Sequence, residues 1–384
     1  MTRTVGDLIY EFRAVPEVGQ DPPVLTLTEK NGFVYQADRF NKRLATEDTS
    51  SYKLIGRDDF AFNPYLLWAG AIARNTLADC GVISPLYPTF RVREGFDPSY
   101  VGKLLLSARM VSAYDSIAFG SVPRRRRSSV GDFLGLAVPS VPILDEQRRI
   151  AAILDHADKQ RGDSLRVVAE LAQVSARMFD ERFGACSGQL VQLSDIASVS
   201  SGITKGRRTD RAVRPVPYLA VANVQDGRLD LGKIKTIDAT EVEIEKYKLR
   251  RGDLVLTEGG DPDKLGRGTV WQEEIGECIH QNHIFKVRVS DRDAVSPAYL
   301  SALIASRSSK KYFMKSAKQT TGIASINMTQ LKALPVCVPA IQEQRAYERD
   351  VDAISRVLST AKSAADLHGE LLESLQARAF RGEL

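Results

Sequence analysis

The chain has 384 residues, of which 43% are hydrophobic and 26% charged. This composition is typical of a globular protein long enough for two or more domains, and it excludes a disordered chain. No run approaches the roughly 18 apolar residues of a membrane span, and the N-terminal segment has no apolar stretch of the signal-peptide type, so we expect a cytoplasmic protein. The net charge of +5 is concentrated at 124–127, 205–214 and 310–318. Such clusters favour either binding to a polyanion or a solvated charged face.

Residues 1–138 predict a compact α+β domain. They contain short β-prone runs, including VLTLT, FVYQ and PTFRV, which Pro, Gly and Asn interrupt. A helix is predicted over 98–114. The domain ends where the hydrophobic period changes, close to Pro142.

A long helix is predicted next, in a connector at 139–187. Ile150, Ala157, Leu171 and Met178 fall on a seven-residue repeat, with Leu154 and Val168 on the companion positions. This spacing gives a helix of about forty residues one apolar face. Pro142 suits the start of a helix and Gly184 suits its end.

A second body is predicted over 188–336, followed by a second helical connector at 337–384. Within this body YKLRRGDLVLTEGG, from Tyr247, aligns with YKLIGRDDFAFNPY, from Tyr52, and FKVRV, from Phe285, aligns with FRVRE, from Phe90. Both alignments have a shift of 195 residues (247 − 52 and 285 − 90). The two bodies therefore share a scaffold, whereas the loops between these anchors differ in length and charge.

The connectors also repeat each other. VPILDEQRRIAAILDHADKQ begins at Val141, and VPAIQEQRAYERDVDAISRV begins at Val338, a shift of 197 residues (338 − 141) that also superposes Phe183 on Phe380. We predict an α+β fold in which two long antiparallel, coiled-coil-like helices join two globular α+β domains with an internal pseudo-twofold duplication. The alternative is that each long helix folds onto its own domain.

The motifs that suggest catalysis are incomplete. Asn63, Pro64 and Tyr65 are similar to the N-P-P-Y motif of amino-methyltransferases, but one proline is missing and no Gly-rich turn follows a strand to hold a cofactor. We predict a turn beside a strand here. The glycine-rich stretch 258–268 lacks the phosphate-loop order, so it is either a loop from which Lys264 and Arg267 reach DNA or a plain hairpin turn.

Two histidines, His280 and His283, flank Gln281 and Asn282 without a third metal ligand nearby, so no metal site is predicted. Gln and Asn can pair with adenine in the major groove, but a structural role for this segment is equally open. The four arginines at 124–127 align with the cationic stretch at 315–322, so each half has a cationic loop at nearly the same place. These loops either neutralise phosphates or are merely solvated.

The candidate DNA-binding residues come from these loops and motifs. They are Asn63, Arg124, Arg125, Arg126, Arg127, Lys205, Arg207, Arg208, Lys264, Arg267, Gln281, Asn282, Lys315, Lys318, Thr320 and Thr321. No catalytic residue, metal ligand or cofactor-binding residue is predicted.

The whole chain resembles the specificity subunit of type I restriction–modification systems. The resemblance lies in P-x-x-x-E-Q-R-x-I at 142–150, in its repeat P-x-x-x-E-Q-R at 339–345, in the helices behind them and in the terminal Phe-Arg-Gly-Glu-Leu. NPYLLWAGAI from Asn63, GVISPLYPTFRV from Gly81 and IHQNHIFKVRV from Ile279 look like strand segments of that family's target recognition domains. One departure is that the first half has no obvious equivalent of residues 322–327.

The resemblance implies a non-catalytic reader of double-stranded DNA without a cofactor of its own. Each domain would recognise one half of a bipartite target, and the helices would set the spacer and dock two DNA adenine methyltransferase subunits. Restriction and translocase subunits would join the full complex. Two rival classes are a coiled-coil adaptor and a stand-alone DNA-modifying enzyme.

Overall fold

The computed structural model describes residues 3–17, 19–20, 22–29, 31–39, 49, 51–120, 126–185, 188–260, 265–320 and 323–384. The chain divides into two compact units. The first unit comprises residues 1–166 and 362–384, and the second comprises residues 167–361. The predicted α+β class with two long helices is confirmed, since helix α6 (Leu144–Phe183) and helix α12 (Ile341–Ala379) accompany a series of short strands and helices.

The first unit is built on an antiparallel four-stranded sheet with the order β1-β8-β5-β6. These strands are β1 (Ile9–Phe12), β5 (Phe60–Phe62), β6 (Ile72–Arg74) and β8 (Thr89–Val92). The described part of this unit also has three strand pairs: β2 (Leu25–Leu27) with β3 (Phe33–Tyr35), β4 (Lys53–Gly56) with β7 (Cys80–Ile83), and β9 (Ala118–Phe119) with β10 (Arg127–Ser128). The short helices are α1 (Val5–Leu8), α2 (Gln36–Arg39), α3 (Pro98–Leu105), α4 (Ala108–Ser116) and α5 (Val130–Gly135).

The single helix predicted over 98–114 is two helices, α3 and α4. The chain leaves the helical path at Leu106, and Ser107 begins the next helix by accepting a hydrogen bond from the backbone N–H of Met110 at 3.4 Å. Serine competes with the helical hydrogen bonds and favours such N-cap positions. The apolar period continued across the break, which is why the sequence predicted one helix.

The second unit repeats this plan with the sheet order β12-β21-β17-β19. The strands are β12 (Ala197–Ser201), β17 (Leu254–Thr257), β19 (Gly268–Val270) and β21 (Ile284–Val289). Its other strands are β11 (Gln189–Gln192), β13 (Arg214–Leu219), β14 (Val224–Gln225), β15 (Arg228–Leu229), β16 (Lys235–Ala239), β18 (Gly259–Gly260), β20 (Ile279–His280), β22 (Lys318–Thr320), β23 (Ile323–Ser325) and β24 (Pro335–Val338). Its short helices are α7 (Leu193–Ile196), α8 (Glu241–Tyr247), α9 (Pro297–Ala305), α10 (Arg307–Ser316) and α11 (Met328–Lys332).

An ion pair at the same place in both sheets corrects the alignment of the two bodies. Arg91 Nε lies 3.0 Å from Asp59 Oδ1, and Arg288 Nε lies 2.6 Å from Asp253 Oδ1. These equivalences require shifts of 194 (253 − 59) and 197 (288 − 91) residues, whereas the letters predicted 195 throughout. The two-residue difference at Arg91 keeps the apolar and polar alternation of its strand. The one-residue difference at Asp59 concerns β5 and β17, which are buried along their whole length and so show no alternation that would fix the register.

A buried glutamine, Gln147, joins the start of α6 to the first unit. Its side-chain Nε2 donates to the carbonyl oxygen of Pro142 at 2.9 Å, and its Oε1 accepts from the backbone N–H of Asp97 at 2.9 Å. Asp97 is the N-cap of α3. The glutamine thus closes the turn that enters the long helix and holds that turn against a helix of the globular body.

Gln344 makes the same connections in the second unit. Its Nε2 donates to the carbonyl oxygen of Pro339 at 2.8 Å, and its Oε1 accepts from the backbone N–H of Ser296, the N-cap of α9, at 2.9 Å. Both glutamines are almost fully buried, at 1% and 0% exposure. The repeated Glu-Gln-Arg sequence therefore marks a hydrogen-bonded junction rather than a reactive site.

Each unit contains half of α6 packed antiparallel against half of α12. In the first unit Ser164 Oγ lies 2.8 Å from His368 Nδ1, and the Phe380 ring meets the buried ring of Tyr100 edge-on at 5.8 Å. In the second unit Arg182 Nη2 donates to Asp350 Oδ2 at 2.6 Å. Helix α6 thus begins in the core of the first unit and ends in the core of the second, and α12 does the reverse.

Phe183 at the end of α6 is the counterpart of Phe380, because its ring meets the Tyr299 ring edge-on at 4.9 Å. The long helices pair with each other, and the alternative in which each helix folds onto its own domain is wrong.

The cysteines have different surroundings. Cys80 is exposed and Cys278 is buried, and both are free. Burial raises the pKa of the Cys278 thiol to about 12. Cys337 is disulfide-bonded, and Cys186 lies outside the described residues.

Among the described residues no helix has the length and apolar character needed to cross a membrane.

We predict that Gln344→Ala destabilises the protein more than Gln342→Ala does. The first substitution removes the partner of the Ser296 N–H and of the Pro339 and Ala294 carbonyl oxygens, which costs about 1–3 kcal/mol of unfolding free energy. The second removes an exposed side chain of the same type two residues earlier. Thermal unfolding should show a melting temperature about 5 °C lower for Gln344→Ala, with Gln342→Ala near the parent. Equal melting temperatures would contradict a structural role for the buried amide.

Candidate nucleic-acid interface

Each unit presents a small hairpin beside the turn that follows a central strand. In the first unit this is the β9–β10 hairpin, where the Ser128 backbone N–H donates to the carbonyl oxygen of Pro64 at 2.9 Å. Asn63 forms the turn after β5, since its Oδ1 accepts from the Tyr65 N–H at 3.0 Å and its Nδ2 donates to the Tyr87 hydroxyl at 3.4 Å. The structure therefore places Asn63 in the turn beside a strand that the sequence predicted.

In the second unit, β18 from the glycine-rich stretch and β22 from the cationic stretch 315–322 belong to one three-stranded sheet, β18-β23-β22. Gly259 pairs with Ser325, and the Ile326 N–H donates to the Glu258 carbonyl oxygen at 2.9 Å. This last bond is the equivalent of the bond from Ser128 to Pro64. The two segments were separate candidates in the sequence, and the fold makes them one surface.

The first unit does possess the element that the sequence failed to identify before its helical connector. Strand β10 occupies the place of β23, and Ser129 begins α5 as Asn327 begins α11. Ser129 Oγ accepts from the Asp132 N–H at 3.1 Å, and Asn327 Oδ1 accepts from the Gln330 N–H at 2.9 Å. The match escaped sequence comparison because only the capping chemistry is shared.

The arginines of the first hairpin have different roles. Arg126 donates through Nη1 to Asp115 Oδ1 at 2.6 Å, through Nη2 to the Asp115 carbonyl oxygen at 2.8 Å and through Nε to the Ala118 carbonyl oxygen at 3.2 Å. It therefore holds the hairpin to the end of α4. Arg127 is exposed, with its guanidinium carbon 5.8 Å from the centroid of the Tyr65 ring. Arg124 and Arg125 lie outside the described residues.

The predicted cluster at 205–214 is partly neutralised within the fold. Arg207 donates to both carboxylate oxygens of Glu243, at 2.5 and 2.7 Å, and to the Asp238 carbonyl oxygen at 2.8 Å. The hydrogen bonds from Arg207 hold the pKa of the Glu243 carboxyl at about 2. Such a bidentate pair fixes both side chains, so Arg207 serves the fold of the second unit and is not a free phosphate contact.

Two other cations of this cluster are exposed. Lys205 Nζ lies 5.1 Å from the centroid of the Tyr218 ring, and Arg208 is also exposed. The ring attracts the ammonium group and so fixes its position at the surface. These two residues retain the predicted ability to meet a phosphate.

The cations around the β18-β23-β22 sheet show the same division. Arg267 is half-buried; its Nη1 donates to Gln225 Oε1 at 3.4 Å, and its Nε has no hydrogen-bond partner within the described part of the chain. Lys315 is exposed near the end of α10, and Lys318 and Thr320 lie in β22. Lys264 and Thr321 fall outside the described residues.

The predicted Gln281 and Asn282 pair lies in a turn that is fixed by its backbone. The N–H of Gln281 donates to the Leu219 carbonyl oxygen, and the N–H of Asn282 donates to the Ile203 carbonyl oxygen, each at 3.0 Å. Their half-buried side chains border the glycine-rich segment, because the Glu258 N–H donates to the His283 carbonyl oxygen at 3.1 Å.

The two histidines beside this turn are unlike each other. His280 is fully buried, with Nδ1 2.9 Å from the Tyr247 carbonyl oxygen, and burial lowers the pKa of its imidazole to about 4. It is therefore a neutral structural side chain near pH 7. His283 is exposed, with Nδ1 2.7 Å from Glu258 Oε2. Sequence reasoning missed this contact, since 25 residues separate its partners.

The chain is similar to a known protein family and to several known proteins. The family described as the type I restriction modification DNA specificity domain matches residues 189–374. The EcoKI specificity subunit of Escherichia coli K12, from a type I restriction enzyme, is 22% identical over 360 residues, which cover 88% of this chain and 73% of that protein. The StySPI specificity subunit of Salmonella potsdam is 23% identical over 332 residues, or 80% of this chain and 68% of that protein.

A putative MjaX specificity subunit from Methanocaldococcus jannaschii is 22% identical over 191 residues, and the match spans 49% of this chain and 44% of that protein. Among solved structures, one of a type I R-M system, described for its assembly and conformational transition, has a TM-score of 0.63 with 13% identity over 100% of this chain and 98% of that one. The S subunit of the type I system from M. genitalium has a TM-score of 0.55 with 14% identity over 99% of this chain and 95% of that one. At these identities the structural similarity establishes the fold.

We predict that Arg127→Ser and Arg126→Ser have different effects. Arg127→Ser should leave the melting temperature unchanged and reduce the steepness of the salt dependence of duplex DNA binding by about 1, because one phosphate contact is lost. Arg126→Ser should lower the melting temperature, because it frees the hairpin from α4. Thermal unfolding and salt titrations of DNA binding measure the two effects. If Arg126→Ser instead reduced the salt dependence and Arg127→Ser lowered the melting temperature, the hairpin would contact DNA through Arg126 rather than through Arg127.

Proposed function

We propose that this chain, which belongs to the DNA specificity subunits of type I restriction–modification systems, reads one half of a bipartite DNA target with each of its two units. One observation carries the proposal: both units place a hairpin beside the turn after a central strand, joined by the same backbone bond. Ser128 donates to Pro64 in one unit and Ile326 donates to Glu258 in the other.

The side chains around this shared frame differ, and the difference supports two different half-sites. The first unit has Arg127 in its hairpin and Tyr65 in the turn beside it, whereas the second has Gly259 and a histidine–carboxylate contact between His283 and Glu258. Sequence is read by side chains that reach base edges, and cations on phosphates supply orientation and affinity. A common scaffold with unlike side chains is therefore suited to an asymmetric target.

In the proposal the two long helices set the spacer between the half-sites. Helix α6 contains 40 residues, which at 1.5 Å per residue is about 60 Å of continuous helix. The glutamine junctions at Gln147 and Gln344 support this role, because they tie the helix starts to the globular bodies by hydrogen bonds rather than by flexible linkers.

The partners are part of the same proposal. We assign to the chain double-stranded DNA, two DNA adenine methyltransferase subunits docked on the helices and, in the full complex, restriction and translocase subunits, all in the cytoplasm. The chain itself is a non-catalytic subunit that takes no cofactor. Its relatives support the assignment, since EcoKI and StySPI are named as specificity subunits of type I restriction enzymes.

We predict that exchanging residues 189–335 for the corresponding segment of a related subunit changes one half of the methylated sequence and leaves the other half intact. The donor should supply a tyrosine at position 299 and a capping residue at position 296, because Phe183 and Gln344 contact these positions. Sequencing of methylated sites after co-expression with a methyltransferase subunit provides the measurement. Alteration of both halves would refute the modular reading, and a parent complex without any bipartite site would refute the proposed function.

We also predict that lengthening both helices by four residues lengthens the spacer by one or two base pairs. The insertions belong after Arg166 and after Ala361, where the two units divide, so that the antiparallel pairing continues within each unit. Four residues add about 6 Å of rise and roughly 40° beyond a full turn, and 6 Å is close to two base pairs of DNA. Sequencing of methylated sites should show unchanged half-sites. An unchanged spacer in an active complex would mean that the helices do not measure the DNA.

A further inference from the structure

The first unit contains a cavity beside its hairpin. Of the candidate DNA-binding residues that the structure describes, Arg127 alone lines it. Its volume is about 620 Å³. Its polar lining comes from three different strands and the turn after one of them: Glu11, Lys53, Arg127, Ser128 and Ser129. Its apolar lining includes Pro64, Leu86 and Phe119, of which the last two are exposed at 67% and 66%.

Ser128 is the most informative of the lining residues. It is 2% exposed, and its hydroxyl has no hydrogen-bond partner among the residues that the structure describes. Its backbone is held on both sides, because Ser128 pairs with Ala118 in the hairpin and donates to Pro64 in the turn. A buried hydroxyl without a partner destabilises a protein, so a ligand that reached this hydroxyl from the cavity would remove that cost.

The second unit shows that the scaffold itself does not require a hydroxyl at this place. The backbone bond from Ser128 to Pro64 corresponds to the bond from Ile326 to Glu258, so Ile326 occupies the equivalent position. Ile326 is 1% exposed and apolar, and it belongs to the core of the second unit. Ser128 is therefore a property of one unit, as expected of a residue that selects what that unit recognises.

The charges around the cavity favour a base edge over a phosphate. Glu11 is an exposed carboxylate on β1 that would repel a phosphate but can accept from the amino group of cytosine or adenine. Lys53 Nζ donates to the Tyr87 carbonyl oxygen at 2.7 Å and retains further donors for an acceptor on a base. Arg127 at the rim is available for the neighbouring phosphate, and the apolar walls suit a base ring or a thymine methyl group.

We propose that this cavity reads one base pair of the half-site recognised by the first unit, with Glu11 and Ser128 as specificity-determining residues. Glu11 accepts from the exocyclic amine of adenine or cytosine, and the Ser128 hydroxyl contacts the same base pair. The inference rests on the proposed function, because it assigns the base-reading part of the first unit's interface.

The test uses the full chain in complex with its methyltransferase subunit. Glu11→Gln and Ser128→Ala are compared with the parent and with Glu94→Gln. The last is a matched change at an exposed acid two residues after β8, outside the lining of the cavity. Methylated sites are sequenced, and the salt dependence of DNA binding is measured. Each cavity variant should relax selectivity at one position of one half-site by roughly tenfold, with the other half-site and the salt slope unchanged. Glu94→Gln should match the parent.

The free Ser128→Ala subunit distinguishes base reading from a structural role. Because the substitution removes an unpaired buried hydroxyl, its melting temperature should equal or exceed that of the parent even as selectivity falls. Unchanged selectivity in both cavity variants, with a parent that methylates a bipartite site, would overturn this inference and leave the proposed function intact. A change in the salt slope alone would assign the cavity to a phosphate and overturn it as well. A parent that methylates no bipartite site would overturn both proposals.

Discussion

The hydrogen bonds of two buried glutamines hold the architecture of this chain together. Gln147 and Gln344 each bind the carbonyl oxygen of a proline five residues earlier and the N-cap of a helix in the globular body. A buried amide is costly unless its donor and acceptor are both satisfied, so these side chains tolerate few alternative geometries. The direction in which each long helix leaves its unit is consequently determined by short, directional bonds as well as by the less directional packing of apolar side chains.

Because of this constraint, the core and the helix junctions are alike in the two units, whereas the side chains at the hairpins differ. The sheet order, the Asp–Arg ion pair and the helix-capping residues recur because they support the junction and the core. The hairpin and the turn beside it recur only in backbone, and their side chains are different. A chain with these properties can change what it binds without changing how it is assembled.

The sequence predicted the long helices and the duplication because both leave a periodic trace over many residues. It predicted less of the interface, since the fate of a cation depends on partners that are distant along the chain. Arg126 is occupied by Asp115 and Arg207 by Glu243, which lies 36 residues away, and nothing in a run of basic residues distinguishes them from exposed neighbours such as Arg127 and Arg208. The sequence did not indicate the two proposed specificity residues, Glu11 and Ser128, because an isolated acid on a strand and a single serine form no motif.

The position of Phe380 has a consequence for how the protein is made. This ring belongs to the core of the first unit, against Tyr100, although 280 residues separate the two in the sequence (380 − 100). The second unit, in contrast, is formed by one continuous stretch, 167–361. During synthesis the ribosome therefore releases everything that the second unit needs before the first unit receives its last core side chain. Although it begins first, the N-terminal body finishes last, and until then it exposes an apolar surface that a chaperone or a partner subunit would have reason to cover.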